Sequence, residues 1–279
     1  MSTVAADLLV LLDALAEAGP LPRVRALHVP PPPPPGGLRG EFCAVELDDG
    51  AVGLSYVLLG DTWAQLAAHG ADLVRPGQDA LALARGFAGR DPIARTLGFA
   101  TVNALTRHLF DRAGFAPPAS GDSIGHLDPQ PGETIGMIGH FTPLIPRLTA
   151  LGAQVLVVEL RADLVGERDG VRVTLDPAEL AGCRKILATG TLLLNDTLDR
   201  MLGHCRHASH LALIGPSVGC PPDALFARGV TLLGGSWITE PAAYLAALAR
   251  GEPTGPFARK SALTAADYPG WSALLARCR

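Results

Sequence analysis

The chain has 279 residues, 48% of them hydrophobic, and a formal net charge of −4, which suits one large domain or two modest ones around a sizeable core. No basic stripe runs along it, so nucleic acid is not expected as the main partner. Lysine is scarce: Lys185 opens a predicted strand at the end away from the usual site and Lys260 lies in the C-terminal tail, so pyridoxal phosphate, which needs a lysine for its Schiff base, is not expected either.

The N-terminal stretch MSTVAADLLVLLDALAEAG has no basic leader, and Asp7, Asp13 and Glu17 interrupt its apolar run. It reads as an amphipathic helix capped by Ser2 or Thr3 rather than as a signal peptide. Five scattered cysteines without a CxxC pair point to a reducing, cytoplasmic setting. No later stretch is long and apolar enough to cross a membrane. The proline run from Val29 to Gly37 reads as an exposed extended loop. EFCAVELDDGAVGLSYVLL alternates and turns at Asp48-Asp49-Gly50, which predicts a hairpin. Two or three helices follow, the clearest with Asp91 as its cap and Pro92 at its first position.

Residues 114–133 are rich in Gly, Pro, Ser and Asp without periodicity and read as a linker between an α+β domain, 1–113, and a second domain, 134–279. In the second domain strands are predicted at 134–139, 154–159, 185–189, 210–214 and 230–233, and helices at 143–151, 177–181, 196–206, 222–228 and 240–250. The short, non-alternating apolar strands are those of a Rossmann-like parallel sheet buried on both faces. Right-handed crossovers then place any site along the carboxyl edge of that sheet.

Every predicted strand ends in small or polar residues there: Gly139-His140, Glu159, Thr189-Gly190-Thr191, Gly215-Pro216-Ser217 and Gly234-Gly235-Ser236. Such endings suit backbone that approaches a ligand closely, and equally the short turns of any parallel sheet. Glu159 lies 20 residues after Gly139, where an acid accepts hydrogen bonds from ribose hydroxyls and disfavours a 2′-phosphate. The turn from Gly136 to Phe141 lacks the G-x-G-x-x-G pattern that cradles a pyrophosphate, and Thr142 and Pro143 are expected to cap and open the next helix. A nucleoside without a pyrophosphate, such as S-adenosylmethionine, therefore ranks above NAD. His140 is the candidate acid/base, metal ligand or packing residue of this loop. HCRH, His204 to His207, has no second ligand cluster at zinc-like spacing and reads as a polar helix end.

GFATVNAL (98–105), IGMIGHFTPLIPRL (135–148), ATGTLLLNDTLDRML (188–202), LIGPSVGCPPDALFARGV (213–230) and LGGSWI (233–238) occur in this order. Together they resemble the family called putative heavy-metal chelation domain. The resemblance implies an enolase-N-terminal-like first domain, a Rossmann-like second domain and a site between them. Carried over, the binding candidates are Gly139, His140, Thr189, Gly190, Thr191, Asn195 and Ser217, joined by Gly136 and Glu159 from the residue reading. Asn103 would contribute from the first domain, with Phe141 beside it on the substrate. Members usually follow the glutamate and leucine with asparagine-proline, whereas this chain has Glu159-Leu160-Arg161-Ala162.

Two functions follow. One is an enzyme that binds S-adenosylmethionine or a related nucleoside and cleaves or cyclises its aminobutyrate arm, with His140 and Tyr56 as catalytic candidates. The other is a metal or metal-chelate binder using His140, Cys220, His126 and Glu159. The expected partner is a small molecule, and a homodimer is left open.

Overall fold

The structure, a computed structural model, describes residues 2–32, 41–122 and 124–278. Most of the proline run, residues 33–37, lies outside them. The first half contains helix α1 (Val4–Ala18), a three-stranded antiparallel sheet in the order β1 (Val24–His28), β2 (Phe42–Leu47), β3 (Val52–Tyr56), and helices α2 (Thr62–Leu73), α3 (Ala80–Ala84) and α4 (Pro92–Arg112). Thr3 caps α1, its Oγ1 accepting from the Ala6 N–H, and Asp91 caps α4 in front of Pro92. The Asp48-Asp49-Gly50 turn pairs Phe42 with Tyr56. α4 is buried on nearly every side. It lies so close to β3 that a Cβ on Gly53 would sit 2.0 Å from the Ala100 carbonyl oxygen, so only glycine fits there.

The second half is an eight-stranded sheet. It is built from β4 (Thr134–Ile138), β5 (Gln154–Val158), β6 (Gly166–Arg168), β7 (Val171–Thr174), β8 (Lys185–Thr189), β9 (His210–Ile214), β10 (Leu232–Ile238) and β11 (Ala258–Thr264). Their spatial order is β11-β10-β9-β8-β4-β5-β7-β6, parallel except for β11 against β10 and β6 against β7. Helices α5 (Ile145–Ala150), α6 (Leu198–His204), α7 (Asp223–Phe226), α8 (Pro241–Ala249) and α9 (Trp271–Arg277) join or follow the strands. The fold class is the α/β architecture read from the sequence.

Several boundaries differ. The last predicted strand starts at Leu232, not 230, and runs to Ile238, because antiparallel pairing with β11 extends it. The segment 177–182 is a 3-10 turn. α5 begins at Ile145 rather than Pro143, and the Thr142 hydroxyl contacts His140 Nδ1 instead of capping it. Strand alternation divides the sheet's apolar residues between two faces. Ile135, Met137, Val155 and Val157 face Leu148 of α5, Leu144 just before it and Leu127. Ile138, Val158, Ile186 and Leu213 join a cluster that runs on into Leu8, Phe99 and Leu105 of the first half. The stretch read as a linker packs on the sheet and pairs with its edge, Ala119 bridging to Ser261.

Candidate functional site

β4 comes first in the sheet, β5 lies on one side of it and β8 on the other. The chain therefore reverses direction across the sheet between β4 and β8, and a crevice opens outside their carboxyl ends. It holds about 340 Å³ and is lined by Gly139, His140, Phe141, Glu159, Leu160, Thr189, Thr191 and Asn195 from the second half, facing Glu41, Tyr56 and Leu59 from the first.

Local chemistry builds each wall. Gly139 has φ +88°, and a Cβ there would lie 2.9 Å from Thr189 Cγ2, so glycine alone lets the β4 turn meet the end of β8. The Gly139 N–H donates to the Val158 carbonyl at 2.9 Å, which extends the β4–β5 pairing to the turn. Glu159 then folds its carboxylate back over the loop: Oε2 accepts from the His140 N–H at 3.0 Å and Oε1 from the Leu160 N–H at 2.7 Å. The Thr189 and Thr191 hydroxyls lie 3.1 Å apart, and Thr189 Oγ1 accepts from the Thr191 N–H. The Asn195 side-chain oxygen is held by Thr197. Arg95 of α4, nearly buried, reaches Asp196 at 3.0 Å and fastens this loop to the first half. Arg161 lies at the rim, forked onto Asp163.

Burial, followed by the charge on Glu41, pushes the Tyr56 phenol above its ordinary range. Tyr56 therefore suits hydrogen-bond donation better than proton abstraction at neutral pH. Burial likewise raises the Glu41 carboxyl.

The structure brings Tyr56, Gly139, His140, Phe141, Glu159, Thr189, Thr191 and Asn195 together in one crevice. Gly136 sits in mid-strand against Leu180, Cys183 and Ile186. Gly190 packs on Val218. Asn103 and Ser217 lie on the seam between the halves, where Asn103 Nδ2 donates to the carbonyls of Leu54 and Ser217 at 2.7 and 2.8 Å beside a cavity of about 60 Å³. Glu41 was not among the sequence candidates. Its signal was present in the hairpin, since the register that pairs Phe42 with Tyr56 brings Glu41 to the Tyr56 end.

Fold and crevice together define an α/β protein whose two halves meet at the switch point of a mostly parallel sheet. The chain belongs to the family described as "Putative heavy-metal chelation": one model of that description matches residues 122–267 and another matches residues 40–106. It is similar to a protein of unknown function from Pyrococcus horikoshii, with TM-score 0.67 and 20% identity over 94% of this chain and 100% of that one. A second such protein, from Desulfitobacterium hafniense, gives TM-score 0.64 and 18% identity over 92% and 98%. At these identities the likeness shows the fold. An uncharacterized protein of Methanocaldococcus jannaschii is 27% identical over 143 residues, half of this chain and 53% of that protein, so the match spans about half the length of that relative.

The family description invites a test against the side chains. Among the described residues no group of three or more His, Cys, Asp or Glu could hold a metal ion. His140 and Glu159 share the crevice, Cys220 lines the seam cavity, and His126 lies in another pocket beside β10. Cys220 is 2% exposed, and burial pushes its thiol up to about 12, so it stays protonated and is a poor metal ligand. These residues do not fit a resident metal centre. Among the described residues no helix is long and apolar enough to cross a membrane.

Proposed function

We propose that the crevice binds S-adenosylmethionine or a related nucleoside, and that the protein acts on the aminobutyrate arm rather than transferring the methyl group. The observation that carries the reading is Glu159 at the carboxyl end of β5, beside the switch point and partly buried. An acid in this place accepts hydrogen bonds from vicinal ribose hydroxyls. Its two oxygens each hold one backbone N–H and keep lone pairs for a ligand.

The walls support the same class of ligand. Phe141, Leu160, Ile138 and Leu192 offer apolar surface for a base, while the Thr189 and Thr191 hydroxyls offer polar contacts. Among the described residues no lysine or arginine lines the crevice, which suits a ligand without phosphates better than a dinucleotide. In the proposed reaction the bond between sulfur and the γ-carbon breaks and its electron pair goes to sulfur, leaving neutral methylthioadenosine. The new bond to that carbon comes from a nucleophile on the arm itself: its carboxylate oxygen, which has no proton to lose, or its amino nitrogen, whose proton His140 is placed to take. Orientation of the arm would supply most of the rate, because sulfonium is already a good leaving group.

Calorimetric titration of chelator-treated protein with S-adenosylmethionine and, separately, with NAD tests the binding. The expected result is micromolar affinity for the former alone, weakened about tenfold or more in Glu159→Ala, as removal of a charge-assisted hydrogen bond does. Equal affinity of the variant and the parent would remove Glu159 from the site.

A further inference from the structure

Glu41 stands out as a carboxylate that the fold does not use. It is half-buried, it lines the crevice across from the His140 loop, and none of the described side chains pairs with it. A half-buried carboxylate is costly to keep unpartnered. Its surroundings explain why nothing compensates it. Among the described residues the other titratable groups lining the crevice are Tyr56, His140 and Glu159, and Arg161 at the rim is near enough to act on Glu159. Glu252, Arg259 and Lys260 belong to an adjoining cavity of about 530 Å³ that shares Glu41 as a wall. Glu252 is taken by Arg250, and Arg259 donates to the Pro117 carbonyl. Burial raises the Glu41 carboxyl.

We infer that Glu41, with the ring of Tyr56 beside it, recognises a fixed positive charge on the ligand, and that the substrate class is therefore a nucleoside carrying a sulfonium or similar cationic centre. This rests on the nucleoside reading above and adds the charge. Among the described residues that line the crevice Glu41 and Glu159 are the two carboxylates, and no lysine or arginine joins them, so a cation gains on entry. The face of an aromatic ring attracts the same charge. The division of labour is spatial: Glu159, on β5, takes the hydroxyls of the sugar, and Glu41, ahead of β2, takes the charged sulfur.

The test compares S-adenosylmethionine with S-adenosylhomocysteine, which lacks only the sulfur-bound methyl group and its charge, by calorimetry on the parent and on Glu41→Gln. The parent should prefer the sulfonium by about tenfold, as a charge-assisted contact does. The variant should bind the two alike. Because the Glu41 carboxyl is raised, the preference should grow as pH rises through its ionisation and vanish below it, with no such trend in the variant. Equal binding of the two nucleosides by the parent, or a preference that survives in Glu41→Gln, would overturn the inference and leave the nucleoside site standing. Trimethylsulfonium ion separates the opposite case. If it binds in a Glu41-dependent way while neither nucleoside binds, the cation site stands and the nucleoside reading falls. If nothing binds, both fall.

Discussion

At the scale of single residues, the crevice is held by groups whose replacement has opposite effects on stability and binding. Ionising Glu41 carries a cost in the folded protein, because burial raises its carboxyl above the unfolded value. For a raised carboxyl the stabilising contribution is present below the unfolded pKa and is lost as pH rises through the folded one. Glu41→Gln removes that loss. Its melting temperature should exceed the parent's by on the order of 1 °C at neutral pH, allowing for solvent screening, and the gap should close in acid. A gap that is independent of pH would show that the effect is packing, not charge. Gly139 behaves differently. With φ +88° and Thr189 Cγ2 2.9 Å from where a Cβ would sit, Gly139→Ala should cost about 1–3 kcal/mol in urea denaturation. It should also weaken any crevice ligand, because the relief must come from β8 or from the His140 loop. A neutral substitution would mean the turn has another conformation available.

Among the elements, one side chain of α4 bonds both halves at their seam. Asn103 Nδ2 bonds two carbonyls, Leu54 of β3 and Ser217 of the turn after β9, while its Oδ1 is buried without a partner. Asn103→Ala would orphan both carbonyls and should destabilise by about 2–4 kcal/mol, read from denaturant midpoints at constant slope. A change below about 1 kcal/mol would show that water replaces the bonds. The element scale also shows what could be read in advance. The caps Thr3 and Asp91, the Asp48-Asp49-Gly50 turn and the central parallel strands follow local rules, and they stand as read. β6 and β11 do not. β6 is exposed and only three residues long, and β11 is set by pairing with β10 across the 19 positions of loop and helix between Ile238 and Ala258, so neither leaves a local apolar signature. The 3-10 turn at 177–182 failed for a related reason, since Pro177 fixes the start but too few residues follow to complete helical turns.

For the whole molecule, the sheet and the first half share one apolar cluster, so the crevice walls from both sides are set by a common core. This is why the carboxyl-edge residues Gly139, His140, Glu159, Thr189 and Thr191 could be named from strand endings alone, whereas the hairpin register could place Glu41 beside Tyr56 but not opposite that edge. The edge is a property of the strand order; the facing wall depends on how α4 and the hairpin dock, which no local pattern encodes. Asn103 and Ser217, carried over from the family likeness, meet each other on the seam rather than in the crevice. The account stands or falls on what occupies the space beside Glu159. The direct measurement is a crystal structure of the protein grown with S-adenosylmethionine. The prediction is ligand density in the crevice with the ribose hydroxyls within hydrogen-bond distance of the Glu159 carboxylate. Density confined to the seam cavity near Asn103, or an empty crevice at saturating ligand, would contradict it.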